Sequence, residues 1–178
     1  ASHAEGQETQ ATAPQAHAEG FQTIASGVNS HAEGIGTQAI GNFSHAEGFL
    51  VQAIGIGSHA EGQGTLTTAR QAHAEGSRTL ASGVASHAEG FFTIASGPYS
   101  HAGGYQTEAS GVTSHAQGFM SKASGDSAHA EGLRNEALAT ASHVEGMDNS
   151  ATHIGSHIMG QNGVTRFPFS WHLANGLN

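Results

Sequence analysis

The stretch Ser30-His31-Ala32-Glu33-Gly34-Ile35-Gly36-Thr37-Gln38-Ala39-Ile40-Gly41-Asn42-Phe43 is one turn of a pattern that runs through the whole 178-residue chain. Its histidine returns every fourteen residues, at His3, His17, His31, His45, His59, His73, His87, His101, His115, His129, His143 and His157, without one insertion or deletion. A constant repeat length is what stacked coils demand and what flexible loops have no reason to keep. Disorder, which a glycine-rich and weakly hydrophobic composition otherwise favours, is set aside by that phase.

Within the coil, two five-residue segments that each end in glycine, 30–34 and 37–41, alternate with two-residue links. Five residues suit a short strand, and glycine beside a variable pair suits a tight turn with positive φ. A helix is disfavoured, because each interior glycine weakens it by about 1 kcal/mol. The coil reads as strand, turn, strand, turn, with successive coils parallel and about 4.8 Å apart. The pattern therefore predicts an all-β parallel β-roll, a solenoid of fourteen-residue coils with two short strands in each.

Alternation along the strands assigns the faces. Ala32 and its counterparts, from Ala4 to Ala130 and then Val144 and Ile158, form a column of small residues that implies a narrow interior. In the second strand Thr23 and Ala25, Thr79 and Ala81, and Thr93 and Ala95 share the inward face. The residue between them varies through Ile24, Gln38, Leu66, Glu108 and Lys122 and so faces solvent.

That leaves histidine and glutamate together on the outer face of the first strand. The pairs are His17 with Glu19, His31 with Glu33, His45 with Glu47, His59 with Glu61, His73 with Glu75, His87 with Glu89 and His129 with Glu131. Neighbouring glutamates one coil apart would repel by about 3 kcal/mol at an effective dielectric near 20, so something must compensate them. Histidine two residues away is the natural partner. The next column holds Phe21, Ile35, Phe49, Phe91, Tyr105 and Phe119, an apolar rim that would be a liability on a monomer. The face is expected to be a subunit interface, with a His/Glu ladder sealed from water by that rim. Stability is expected to fall in acid, as glutamates protonate and histidines become uncompensated like charges.

Composition narrows the function classes. The 26 glycines, 11% charged residues and 6% aromatics, with a hydrophobic fraction of 37% in which alanine is the largest share, cannot build a thick core. A net charge of -9 with five basic residues argues against nucleic acid and anionic membranes. No apolar run approaches a membrane span, and nothing at the amino end resembles a signal peptide. Cysteine is absent, which excludes disulfides and thiolate metal sites. The chain opens within a repeat at Ala1-Ser2-His3, as an excised or processed fragment would.

The repeat Ser-His-Ala-Glu-Gly-x-x-Thr-x-Ala-Ser-Gly resembles the head repeat of YadA-like trimeric autotransporter adhesins, Asn-Ser-Val-Ala-Ile-Gly-x-x-Ser-x-Ala-x-Gly. That resemblance implies a left-handed parallel β-roll assembled side by side as a homotrimer. It places His31 and Glu33 on the family's Val and Ile positions, so apolar interface residues have become polar. The chain also resembles the Ser-His-Ala-Glu-Gly regions of Bacillus and phage surface or appendage proteins. There the repeats precede an intramolecular-chaperone domain that trimerises, assists folding and cuts itself away. Ser156-His157-Ile158-Met159-Gly160-Gln161-Asn162-Gly163 and Ser170-Trp171-His172-Leu173-Ala174-Asn175-Gly176 resemble the junction before that domain. The resemblance implies an extracellular, cell-surface or virion location.

The ends divide as a repeat roll over residues 1–160 and an atypical capping coil over 161–178. Trp171 and Leu173 lie fourteen residues after His157 and Met159, so the polar ladder turns apolar. Met159, Trp171 and Leu173 are expected to plug the carboxyl-terminal end, with residues 166–169 replacing the second strand. His153 and His172 fall outside the histidine column and read as capping or surface residues.

A pair repeated many times, and interrupted by Gly103 and Gln117, reads as scaffold rather than catalysis. No cofactor or metal is expected, and the partner is a further copy of the chain. The leading function is a structural or adhesive trimeric head or spacer of a surface appendage. A host-cell or wall ligand is left open. The alternative is a metal-binding repeat with His-x-Glu rings at the trimer axis. Ice binding conflicts with inward threonines and an irregular outer column.

Overall fold

A computed structural model describes residues 1–176. The last two residues of the expected capping coil, Leu177 and Asn178, lie outside the described residues. The architecture is an all-β parallel solenoid of about twelve coils, each normally contributing two strands. The coils belong to two compact units, Ala1–Phe91 and Phe92–Asn178.

In the first unit, seven five-residue strands run from His3–Gln7 to His87–Phe91 and pair in parallel. Register is locked at the repeat length, with His31 opposite His45 and Ala32 opposite Ala46. Six shorter strands, from Gln10–Ala11 to Leu80–Ala81, form the second sheet. The second unit repeats the scheme from His101–Tyr105 to Trp171–Asn175 and from Ile94–Ala95 to Ser150–Ala151. The second strand spans two residues rather than the expected five, because the chain must already bend at the glycine that follows.

The interior is as narrow as the alanine column implies. Ala18, Ala32, Ala46, Ala60, Ala74 and Ala88 are fully buried, as are Ala25, Ala39, Ala53 and Ala81 from the second sheet. Thr23, Thr37, Thr65 and Thr79 point inward beside them, and Val51 occupies the same column. Every described second strand thus faces the roll through its small residues, and the variable column lies outside.

The two glycines of a coil have different tasks. Gly34 has φ +111, and a Cβ there would meet the Gly48 carbonyl oxygen at 2.1 Å. Gly41 needs no left-handed φ; it is small because its added Cβ would lie 2.1 Å from the Gly55 carbonyl oxygen. This corrects the expectation that both glycines supply positive φ. The left-handed positions are instead the second residues of the variable links, such as Phe43 (φ 59), Leu50 (φ 55) and Ala85 (φ 52).

Serine before the histidine fastens the turn. The Ser44 N–H donates to the Gly41 carbonyl at 3.2 Å, and the buried Ser44 hydroxyl donates to the same oxygen at 2.6 Å. The same clip recurs at Ser30, Ser58, Ser86, Ser114 and Ser142.

Candidate functional site

Strand alternation sends histidine and glutamate outward on one face, two residues apart and on the same side. Parallel register then stacks the imidazoles into a column. Ring centroids are 4.9 Å apart between His17 and His31, and 4.7 Å between His73 and His87, whose planes differ by 7°. In the second unit His129 and His143 are 4.6 Å apart, and His143 and His157 are 4.3 Å apart.

Several imidazoles lie against the carboxylate of their own coil. Nε2 to Oε2 distances are 3.3 Å for His17 and Glu19, 3.5 Å for His31 and Glu33, 3.7 Å for His45 and Glu47, 3.5 Å for His59 and Glu61, and 3.2 Å for His129 and Glu131. Two pairs cross between coils: His87 reaches back to Glu75 at 3.5 Å, and His157 to Glu145 at 3.1 Å. Proximity is not matched by alignment. The Nε2 atoms of His17, His31, His45, His59 and His73 are enclosed yet form no hydrogen bond, despite neighbouring carboxylate oxygens. A donor or acceptor shielded from water and left unmade costs on the order of 1–3 kcal/mol.

Electrostatics follow from the stacking. Burial lowers the His31 pKa below its ordinary 6.5, and His45 and His17 add to this as like charges, while Glu33 and Glu19 oppose it. Burial is also the largest cause for His73, with His87 and His59 next and Glu75 and Glu61 opposing. His143 is lowered in the same way, by burial and then by His129 and His157. At His115 burial leads, opposed by the hydrogen bond to Gln117. These four imidazoles are therefore held toward the neutral form, and at His31, His73 and His143 the neighbouring glutamates offset this only in part.

The apolar rim stands beside the ladder. Phe21, Ile35, Phe49 and Phe91 in the first unit, and Tyr105 and Phe119 in the second, are all exposed, Ile35 by 48%. Tyr105 and Phe119 stack with centroids 4.7 Å apart and planes within 5°. Glu47 and Glu131 are largely open to solvent, so the face is half-covered rather than closed in a single chain.

The carboxyl-terminal residues depart from expectation. The register is as the phase predicts, with Trp171 opposite His157 and Leu173 opposite Met159, and the Trp171 ring stacks on His157 at 4.7 Å. Trp171 is 71% exposed and Leu173 79% exposed, however, and they continue the outer His/Glu face. They do not fill the roll. His172 takes the alanine column opposite Ile158, beside a depression of about 560 Å³ lined by Ile158, Gly163, Thr165, His172, Leu173 and Ala174. Its Nε2 lies 2.7 Å from the Ser170 hydroxyl oxygen. Residues 166–169 do not replace the second strand either: Val164 bridges Ser150, Thr165 is buried, and Phe169 takes the left-handed turn position.

Two arrangements escaped the sequence reading. Asn135 and Asn149, fourteen residues apart in the inward threonine column, form a buried amide ladder. Asn135 Nδ2 donates to the Glu131 and Gly146 carbonyls, and its Oδ1 accepts from the Asn149 N–H at 2.9 Å. Asn149 repeats the pattern toward Glu145, Gly160 and the Gly163 N–H. Their spacing was the available signal. On the outside, Arg134 holds Asp148 through bonds of 2.6 and 2.7 Å, which lower the Asp148 pKa and raise that of Arg134.

The class defined by this geometry is a parallel β-solenoid whose repeated chemistry lies on the outward side of the five-residue strands in each unit. The chain is similar to YadA-type heads: residues 18–44 match the family described as YadA head domain repeat, in two copies. No curated protein matches the chain. No helix among the described residues is long and apolar enough to cross a membrane.

Proposed function

We propose that this chain is the structural and adhesive head, or spacer, of a bacterial or phage surface appendage, in which three rolls meet through the His/Glu face. The carrying observation is that this one face is unfinished twice. Enclosed imidazole nitrogens lack hydrogen bonds, and an exposed apolar rim runs beside them. A second copy meets both needs, bringing polar partners to the ladder and covering the rim. The similarity to YadA head repeats supports three copies and an extracellular setting.

Repeated His-x-Glu metal rings receive less support. Such rings would stack divalent ions one coil, about 4.8 Å, apart, where like charges repel strongly. A repeated, stacked pair also lacks the unique concave constellation of a catalytic site.

The test is sedimentation velocity on Phe49→Asp, which places a charge in the rim at an exposed position and leaves the roll interior intact. The variant is expected to shift toward smaller species while keeping its β circular dichroism. An unchanged sedimentation coefficient would remove the rim from the interface.

A further inference from the structure

Throughout most of the ladder each histidine has a carboxylate two residues on. At the last phased histidine this fails, because Met159 stands where glutamate is expected. His157 turns to the preceding coil, where its Nε2 lies 3.1 Å from Glu145 Oε1. Glu145 therefore pairs with His157 while lying within 4.8 Å of a His143 ring nitrogen, and the two imidazoles stack 4.3 Å apart with planes 10° from parallel.

We propose that His143, Glu145 and His157 form one binding site for a borderline divalent cation such as Zn²⁺, supplied entirely by a single chain. Two imidazoles and one carboxylate are a donor set that suits this ion. Their ligand atoms lie within 4.8 Å of one another. Tetrahedral bonds near 2.1 Å place ligand atoms about 3.4 Å apart, so the widest pair has to close by only about 1.4 Å, within reach of side-chain rotation. The three side chains are partly buried, which limits competition by water while leaving an entry path. Three protein ligands leave a fourth position for water or for an atom from an adjoining copy. Interior coils such as those of His17, His31, His45 and His59 differ because each of these histidines faces the carboxylate of its own coil. The Glu75, His87 and Glu89 cluster carries two carboxylates and one imidazole, a harder and more anionic set.

This site does not depend on the assembly proposed above. Isothermal titration of the full chain with ZnCl₂ at neutral pH is expected to show one site per chain with a dissociation constant in the micromolar range or below. Glu145→Gln is the decisive variant, since Gln117 already occupies this column in another coil. It should weaken binding at least tenfold, as should His157→Ala, whereas His31→Ala should leave the constant unchanged. Zn²⁺ should also raise the melting temperature of the unmodified chain. Absence of both heat and stabilisation would overturn the proposal, as would wild-type affinity in Glu145→Gln or a stoichiometry approaching the number of phased histidines.

Discussion

At the residue scale, the solenoid asks for left-handed backbone at two kinds of position and treats them differently. Gly34 combines φ +111 with backbone contact to the next coil, and its column is glycine from Gly6 to Gly160. The link positions sit near φ 55, where any L-residue fits at a cost of about 1–2 kcal/mol. Nature places Phe43, Leu50 and Ala85 there. Gly34→Ala and Ala85→Gly are therefore expected to move melting temperature in opposite directions. The first should lower it by several degrees or prevent folding, and the second should raise it by an amount equivalent to at most about 1 kcal/mol. Thr37 supplies a second test, because its hydroxyl is buried without a partner and Val51 already occupies the same column. Thr37→Val should be neutral or stabilising by about 1 kcal/mol in urea unfolding, since it removes an unmet polar group at nearly constant volume.

At the scale of strands and columns, the fourteen-residue phase made the parallel register and the inward alanines legible, because period and side-chain alternation are both properties of the sequence. Strand length was not legible. Glycine marks a bend, but whether it bends through φ or through close approach depends on the neighbouring coil. The serine clip was visible as a column at Ser30, Ser44 and Ser58, yet its carbonyl acceptor appears only once the turn is folded. The asparagine ladder belongs to the same kind, since Asn135 and Asn149 replace threonine and each bonds two carbonyls at once, where Thr107 and Ser121 of the same column reach one each. Asn135→Ala should cost about 2–4 kcal/mol by stranding buried backbone groups, and Asn135→Thr, the common residue of the column, should cost less. Equal urea midpoints for the two variants would deny the ladder a stabilising role.

At the scale of the whole molecule, the ladder couples stability to pH. The rings of His31, His73, His115 and His143 are held below the ordinary histidine value of 6.5. As pH falls through 6.5 the unfolded chain takes up protons first, so stability is fully present above that value and declines toward the lowered folded values. The groups facing His31 are His17, His45, Glu19 and Glu33. The decline thus begins with histidine, at a higher pH than the acid loss through carboxylate protonation that the sequence alone leads one to expect. Melting temperature should fall measurably between pH 7.5 and pH 5.5, and a flat profile over that interval would contradict the partly buried column. What the sequence left hidden here is alignment: His/Glu pairing was legible from spacing, but whether a ring nitrogen within reach of a carboxylate also aligns with it, as at His129 but not at His31, depends on the folded side chains.

The central claim is that this incomplete face is closed by two further copies, and multi-angle light scattering of the unmodified chain tests it most directly. A monodisperse particle at three times the 18.0 kDa chain mass is predicted. A monodisperse particle at 18.0 kDa, at concentrations where the chain is fully folded, would contradict it.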